Sequence, residues 1–178
     1  ALKTAPAFEA AILSGIRLAR PLDGFVEPVR QFARNLGVAF QILNDLDDWH
    51  GDRRNNREQA ADVLGGRPTV LWALALEKLP SKQQQQLLRV MEDSQQPTEQ
   101  RINQVGELYQ KADVLNKAGR LIEKHQQRAS RVADQLNPPE LQRLFHYLIE
   151  MVLDRPSQNA ASSGNTAEPP NKQDERSA

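Results

Sequence analysis

Apolar positions along this chain recur at spacings of three and four, and valine, isoleucine and threonine never gather into alternating runs. This period is that of an α-helix, in which residues three and four apart lie on one face. Leucine, alanine, glutamine and glutamate are frequent and favour helices. We therefore predict an all-α fold, a helical bundle. The predicted helices cover residues 4–20, 25–49, 70–79, 81–93, a stretch that begins at Thr98, 113–136 and a stretch that begins at Pro138.

Turn and cap residues mark the ends of these helices. Gly51 ends the second helix, because glycine readily leaves the helical conformation. Thr69 and Thr98 are predicted N-caps, since a threonine hydroxyl can accept a hydrogen bond from a backbone N–H of the first turn. Ser81, with Gln84 three residues later, predicts a capping box.

The last helix and the C-terminus differ in what they can bury. Six apolar residues of the last helix are predicted to share one face: Leu141, Leu144, Phe145, Leu148, Met151 and Val152. Residues 156–178 carry serine, asparagine, proline and charge without periodic apolar positions, so we expect a disordered tail there. The sequence thus predicts one domain over residues 1–155, followed by this tail.

Composition and charge narrow the function classes. Lysine plus arginine and aspartate plus glutamate both total 23, so no long-range field attracts nucleic acid or an anionic membrane surface. The chain has no cysteine, which excludes disulfides, thiolate zinc sites and cysteine nucleophiles. No apolar run approaches the ~20 residues that cross a bilayer. We expect a cytoplasmic protein without a nucleic-acid partner or stable membrane insertion.

Acidic and amide residues crowd the end of the second helix, at Asn44, Asp45, Asp47 and Asp48, with Asp52 just beyond. Each carboxylate at the negative end of a helix dipole loses about 0.3–1 kcal/mol, and like charges three and four apart repel. The oxygens at positions 44, 45 and 48 project from one face, which suits a hard cation such as Mg²⁺. On this feature alone, an ordinary solvated acidic face is the alternative.

Aromatic, amide and cationic residues accompany this acidic face. Phe40 and Gln41 lie one turn before Asn44 on nearly the same face. The stretch 62–69, Asp-Val-Leu-Gly-Gly-Arg-Pro-Thr, offers a flexible diglycine and a cation that can fold back over the acidic residues. Lys3-Thr4 places a cation and a hydroxyl at a helix start, where backbone N–H groups favour a diphosphate.

Together these motifs resemble the polyprenyl synthase family of trans-isoprenyl diphosphate synthases. The resemblance is carried by Lys-Thr-Ala at 3–5, by a second aspartate-rich motif, Phe-Gln-x-x-Asp-Asp-x-x-Asp, at 40–48, and by Asp-x-x-Gly-Gly-(Lys/Arg)-x-Thr at 62–69. It implies the C-terminal half of an isoprenoid synthase bundle, in which two aspartate-rich helices face each other across Mg²⁺ ions. It also implies the condensation of an allylic diphosphate with isopentenyl diphosphate.

The resemblance implies a role for each motif residue that contacts substrate. Among the catalytic residues, Lys3 contacts the diphosphate, Thr4 helps to stabilise the cation formed near it, and Gln41 hydrogen-bonds the diphosphate. Among the substrate-binding residues, Phe40 walls the cavity and Arg67 stands where the family usually has lysine.

The implied metal ligands are Asn44, Asp45 and Asp48, and two positions depart from the family pattern. Asn44 replaces the leading aspartate, and an amide is an uncharged, weaker Mg²⁺ ligand. Glu58 stands about where the family has a basic residue, with Arg57 beside it as the substrate-binding candidate. Both departures bear on catalytic competence.

Family members are longer and carry a first aspartate-rich motif on an earlier helix, so we expect this chain alone to hold an incomplete metal cluster. It is then a fragment or a reduced homologue, and we expect a homodimer. One rival interpretation is a class I terpene cyclase, whose ligand triad fits Asn44, Asp48 and Asp52. Another is a non-catalytic partner subunit of a heteromeric synthase. The histidines His50, His125 and His146 are spread along the chain and are expected to be surface or packing residues.

Overall fold

A computed structural model describes residues 4–19, 23–51, 59–93 and 95–153. These residues form helices joined by short connections, without a β-strand, which confirms the predicted all-α fold. The helices are α1 (Thr4–Ala19), α2 (Val26–His50), α3 (Ala61–Leu64), α4 (Val70–Lys78), α5 (Ser81–Glu92), α6 (Thr98–Lys111), α7 (Val114–Asp134) and α8 (Pro139–Leu153).

Some of the sequence predictions fall outside the described residues. These are the roles of Lys3, Asp52, Arg57 and Glu58, and the disordered tail at 156–178. They stay predictions.

Helices α2 and α7 connect the two parts of the described structure, because each contributes to two hydrophobic cores. The α4–α6 core joins α3, α4, α5 and α6 to the C-terminal half of α2 and the start of α7. The α1–α8 core joins α1 and α8 to the N-terminal half of α2 and the end of α7. Ile122 of α7 packs against both cores.

Two predicted caps are wrong, because Ser81 and Thr98 are the first residues of α5 and α6 and not the N-caps that precede them. Pro80 and Pro97 are the N-cap residues, and neither helix has a side-chain cap. Gln84 instead donates through Nε2 to the carbonyl oxygens of Leu76 (2.7 Å) and Leu79 (2.8 Å). It therefore caps the end of α4, which a capping-box pattern does not anticipate.

Helix α8 begins at Pro139, one residue after the predicted start, and its buried face is turned relative to the predicted one. Phe145 is buried as predicted, together with Ile149 and Leu153, which the prediction left out, whereas Leu144 and Met151 of the predicted face are 49% and 63% exposed. Burial thus follows positions four apart, on the side of α8 that packs into the α1–α8 core.

An apolar groove of about 580 Å³ runs between α1 and α8. Phe8, Ile12 and Ile16 line it from α1, and Leu141 and Leu144 line it from α8. None of the described helices is both long and apolar enough to cross a membrane.

Candidate active site at the end of helix α2

The sequence-predicted site residues lie together on the last three turns of α2. Phe40, Gln41, Asn44 and Asp48 are partly buried, and Asp45 is only 5% exposed. Their placement on a single uninterrupted helix is confirmed. Gly51 ends the helix as predicted, with a φ of 75° that glycine adopts without strain.

Asp45 connects α2 to the start of α4. Its Oδ1 accepts a hydrogen bond from Gln41 Nε2 (2.9 Å), and its Oδ2 accepts one from the backbone N–H of Val70 (2.7 Å). Thr69 is the N-cap of α4, as predicted, and its Oγ1 accepts from the N–H of Trp72 (3.2 Å). Asp45 thus places a carboxylate at the positive end of the α4 dipole, which stabilises its charge.

Asp48 connects α2 to the start of α3. Its Oδ2 accepts from the backbone N–H of Asp62 (3.0 Å), and its backbone oxygen accepts from the N–H of Ala60 (2.7 Å). Ala60 has a φ of 55°, a left-handed conformation that is uncommon for alanine. The segment that leads into α4 therefore folds back over the acidic end of α2, as the sequence suggested. Its short helix α3 was not predicted, because four residues carry no periodic pattern.

Arg67 brings a cation to this segment. Its Nη1 forms an ion pair with Asp62 Oδ1 (3.1 Å), and its backbone N–H donates to the Asp62 carbonyl (2.8 Å). Gly66, with a φ of 63°, makes the turn that allows this pairing. Because the Arg67 side chain is 75% exposed, a ligand can reach it from solvent.

Phe8 and Thr4 bring α1 to the same region. Phe8 packs edge-on against Phe40, with ring centroids 6.0 Å apart and planes at 87°. Thr4 is the first residue of α1 and is partly buried. The start of α1 thus lies beside the Gly37–Phe40 stretch of α2, which directly precedes the acidic residues.

Two buried residues beside the site escaped sequence reasoning, and Tyr109 is the first. Its ring packs against Trp49, 4.9 Å between centroids, and it is 1% exposed. Burial raises the pKa of its hydroxyl, and the carboxylates of Asp45 and Asp48 raise it further. The nearby Thr69 hydroxyl lowers that pKa somewhat, although the two groups do not reach hydrogen-bond geometry. Tyr109 is thus protonated at neutral pH.

The second buried residue that sequence reasoning missed is Arg101 of α6, which is 6% exposed. Its Nε donates to the Val90 carbonyl (3.0 Å), and its Nη2 donates to those of Met91 (2.7 Å) and Leu64 (3.3 Å). It therefore satisfies the C-terminal ends of α5 and α3, where a cation also complements the helix dipoles. Because these partners lie on other helices, no local sequence pattern marks Arg101 as buried.

The histidines lie apart, as the sequence predicted. His50 bonds the Leu46 carbonyl (2.7 Å), and His125 bonds Asn35 Oδ1 (2.9 Å). His146 bonds Asp134 Oδ1 at 2.9 Å. Across the described ranges, no group of three or more histidine or acidic side chains is arranged to hold a metal ion.

The oxygens at the end of α2 nevertheless have the chemistry that Mg²⁺ prefers. Asn44 supplies an amide oxygen, and Asp45 and Asp48 supply carboxylate oxygens. Mg²⁺ is commonly held by one or two protein carboxylates, with water and substrate phosphate oxygens in the other positions. These residues therefore suit part of a coordination shell, with the rest supplied by a ligand or by other protein groups.

Sequence comparisons with known proteins find relatives of this chain. Residues 1–109 match the polyprenyl synthetase family. Geranylgeranyl diphosphate synthase of Sulfolobus acidocaldarius is 28% identical over 116 residues, which are 65% of this chain and 33% of that protein. The large subunit 2 of a heterodimeric geranylgeranyl pyrophosphate synthase from Arabidopsis thaliana is 34% identical over 77 residues, which are 43% of this chain and 20% of that protein.

The fold agrees as well. A crystal structure of geranylgeranyl pyrophosphate synthetase from Pyrococcus horikoshii superimposes with a TM-score of 0.73 at 21% identity. The superposition covers 86% of this chain and 46% of that one, so the chain spans about half the length of the solved relative. Since the family match covers 109 of the 178 residues and the fold is shared, the chain belongs to the polyprenyl synthetase family.

Proposed function

We propose that this chain supplies the second aspartate-rich site of a Mg²⁺-dependent trans-prenyltransferase of isoprenoid biosynthesis. The reaction is the condensation of an allylic diphosphate with isopentenyl diphosphate. The observation that carries the proposal is the gathering of Gln41, Asn44, Asp45 and Asp48 on one helix end, covered by a segment that bears Arg67. Such a site joins hard oxygen ligands to a cation, as a metal-bound diphosphate requires.

Asn44, Asp45 and Asp48 are the proposed Mg²⁺ ligands. Each bonded oxygen of Asp45 accepts one hydrogen bond from the protein, and a carboxylate oxygen has room for a further partner. The hydrogen bonds fix the directions in which the remaining lone pairs point. Bound Mg²⁺ would neutralise the charge that develops on the pyrophosphate leaving group.

The neighbouring polar residues would orient the diphosphate. The hydrogen bond of Gln41 to Asp45 holds its amide in place, and Gln41 would use its other amide hydrogen to bind a phosphate oxygen. Lys3, Arg57 and Arg67 would contribute positive charge. Thr4 would lie beside the cation that forms when the allylic C–O bond breaks.

Phe40 would form part of the wall of the hydrocarbon cavity and keep water from that cation. The π electrons of isopentenyl diphosphate would then form the new C–C bond, and loss of a proton would restore a double bond. The side chains described here would exclude water and orient the diphosphate throughout.

A second candidate is a non-catalytic partner subunit, favoured by Asn44 in place of an acidic ligand and by Glu58 where the family has a basic residue. The Arabidopsis relative is itself named as a subunit of a heterodimeric synthase. For the catalytic function we propose a cytoplasmic homodimer; the partner subunit would form a heterodimer.

The test is an assay of the longest polypeptide that carries this sequence. It is incubated with isopentenyl diphosphate and a series of allylic diphosphates of increasing length, with Mg²⁺ or with EDTA, and products are identified by mass spectrometry. We expect elongated products that need both substrates and Mg²⁺. Consumption of an allylic diphosphate without isopentenyl diphosphate would instead indicate a cyclase.

A partner subunit would give no product alone but would change the product length or rate of a co-purified prenyl synthase. Neither turnover nor such an effect, in a protein shown to be folded by circular dichroism, would refute both functions.

A further inference from the structure

Gly37 lies in the middle of α2, where glycine costs about 1 kcal/mol relative to alanine. The neighbouring helix explains why it is there. A Cβ built on Gly37 would lie 2.9 Å from the backbone Cα and N of Ala5 and 3.1 Å from its Cβ. Because two of these atoms belong to the backbone, no side-chain rotation relieves the clash.

This close approach lies next to the candidate site. Helices α1 and α2 run antiparallel, since Glu9 pairs with Arg30 while Ala5 meets Gly37 further along α2. Moving from Ala5 to Thr4 therefore leads towards the C-terminal end of α2. Gln41 lies one helical turn beyond Gly37, a rise of about 6 Å along the same face.

We propose that Gly37 is a positioning residue, which sets the distance between the start of α1 and the diphosphate-binding face of α2. The inference rests on the proposed function. Without a side chain at position 37, the backbone of α1 approaches closely enough for Thr4 and Gln41 to act on one ligand. A methyl group there must open the crossing by about 0.5–1 Å, because ordinary contacts of a Cβ are 3.4–4 Å long.

The test compares Gly37→Ala with Gly119→Ala in the longest polypeptide that carries this sequence. Gly119 is the matched control, because it also lies within a helix but a Cβ there meets nothing within 4 Å. Steady-state kinetics are measured well below the melting temperature of each variant, so that loss of stability leaves the rates unchanged. Spin labels on cysteines at Ala7 and Arg34, both exposed, report the α1–α2 distance. Residues 1–178 contain no cysteine, and any cysteine elsewhere in that polypeptide is first replaced by serine.

We expect Gly37→Ala to lengthen the label distance and to lower kcat/KM for the allylic diphosphate about tenfold or more, since a displacement near 1 Å can cost that much. Gly119→Ala should change neither. Ala5→Leu puts the bulk on the α1 side of the same crossing and should act like Gly37→Ala. It decides the test if Gly37→Ala does not fold.

If the label distance lengthens and kcat/KM is unchanged, the α1–α2 crossing does not position the site. If the label distance is unchanged in both Gly37→Ala and Ala5→Leu, Gly37 does not set the separation of the two helices. Failure of the proposed function is separate, because it appears in the wild type as absence of turnover. That result would overturn the positioning role as well.

Discussion

At the end of α2, Asp45 and Asp48 make hydrogen bonds within the protein and are also proposed ligands of Mg²⁺. Asp45 and Asp48 each accept a backbone N–H from a following helix, at 2.7 and 3.0 Å. These bonds relieve part of the unfavourable interaction of the carboxylates with the negative end of α2, because they direct the charges towards the positive ends of α3 and α4. An acidic helix end therefore persists in the absence of metal.

Asn44→Asp tests whether this helix end also binds Mg²⁺. The substitution adds a charge beside Asp45, Asp47 and Asp48, so without ligand it should destabilise the protein by a few tenths of a kcal/mol, on the order of 0.3. With Mg²⁺ and an unreactive allylic diphosphate analogue, the new carboxylate is a stronger ligand, and the loss should shrink or reverse. The melting temperatures of both proteins, with and without ligand, check this.

Asn103→Asp serves as the control, because Asn103 is an exposed residue of α6. Its effect on the melting temperature should be the same with and without ligand. If Asn44→Asp behaves in the same ligand-independent way, Asn44 does not contribute to a metal site.

At the scale of elements, the sequence predicted five helices almost to their ends, and the misses have physical causes. Periodic apolar residues placed α1, α2, α4, α5 and α7 within two residues of their observed bounds. Helix α3, which was not predicted, is capped by hydrogen bonds with the side chains of Asp48 and Arg101, and both residues are distant from it in sequence. Such tertiary capping leaves no local pattern, so neither α3 nor the buried Arg101 is visible without coordinates.

Gly37 is also beyond what the sequence can resolve, although a glycine inside a helix pattern is a weak hint of a close contact. Gly15 and Gly119 also lie within helices, yet a Cβ at either would meet nothing within 4 Å, so the close approach of Ala5 to Gly37 is visible only in the structure.

Arg101→Lys tests the capping of α3 and α5. Lysine loses the planar fork of donors and leaves at least one buried carbonyl without a partner, so the free energy of unfolding should fall by about 2 kcal/mol. Urea denaturation of the two proteins measures the difference. Arg89→Lys is the matched control, because Arg89 is exposed on α5, and should change stability by less than about 0.5 kcal/mol. Equal stabilities for Arg101→Lys and wild type would show that these three hydrogen bonds contribute little.

At the scale of the whole molecule, the site lies where the two cores meet. Phe40 packs against the α1–α8 core, whereas Asp45 and Asp48 contact helices of the α4–α6 core. The sequence predicted the site residues as a set, because their spacing on one helix is local. It did not predict how the cores share α2 and α7, since that depends on contacts between distant segments. Phe40 therefore keeps its position relative to Asp45 and Asp48 only if the two cores fold and unfold as one unit.

Phe145→Ala tests that coupling. Phe145 lies in the α1–α8 core with its ring 4.4 Å from that of Phe32, so its truncation should cost about 3–5 kcal/mol. Both tryptophans, Trp49 and Trp72, lie in or against the α4–α6 core, so their fluorescence reports the other core. Because α2 and α7 run through both cores, urea should unfold the protein in one transition, and the substitution should shift the fluorescence and far-ultraviolet circular dichroism transitions together.

Leu144→Ala, at a half-exposed neighbouring position, is the control and should shift both transitions far less. A fluorescence transition that stays in place while the circular dichroism transition moves would mean that the cores unfold separately, and that α2 does not hold the two sides of the site together.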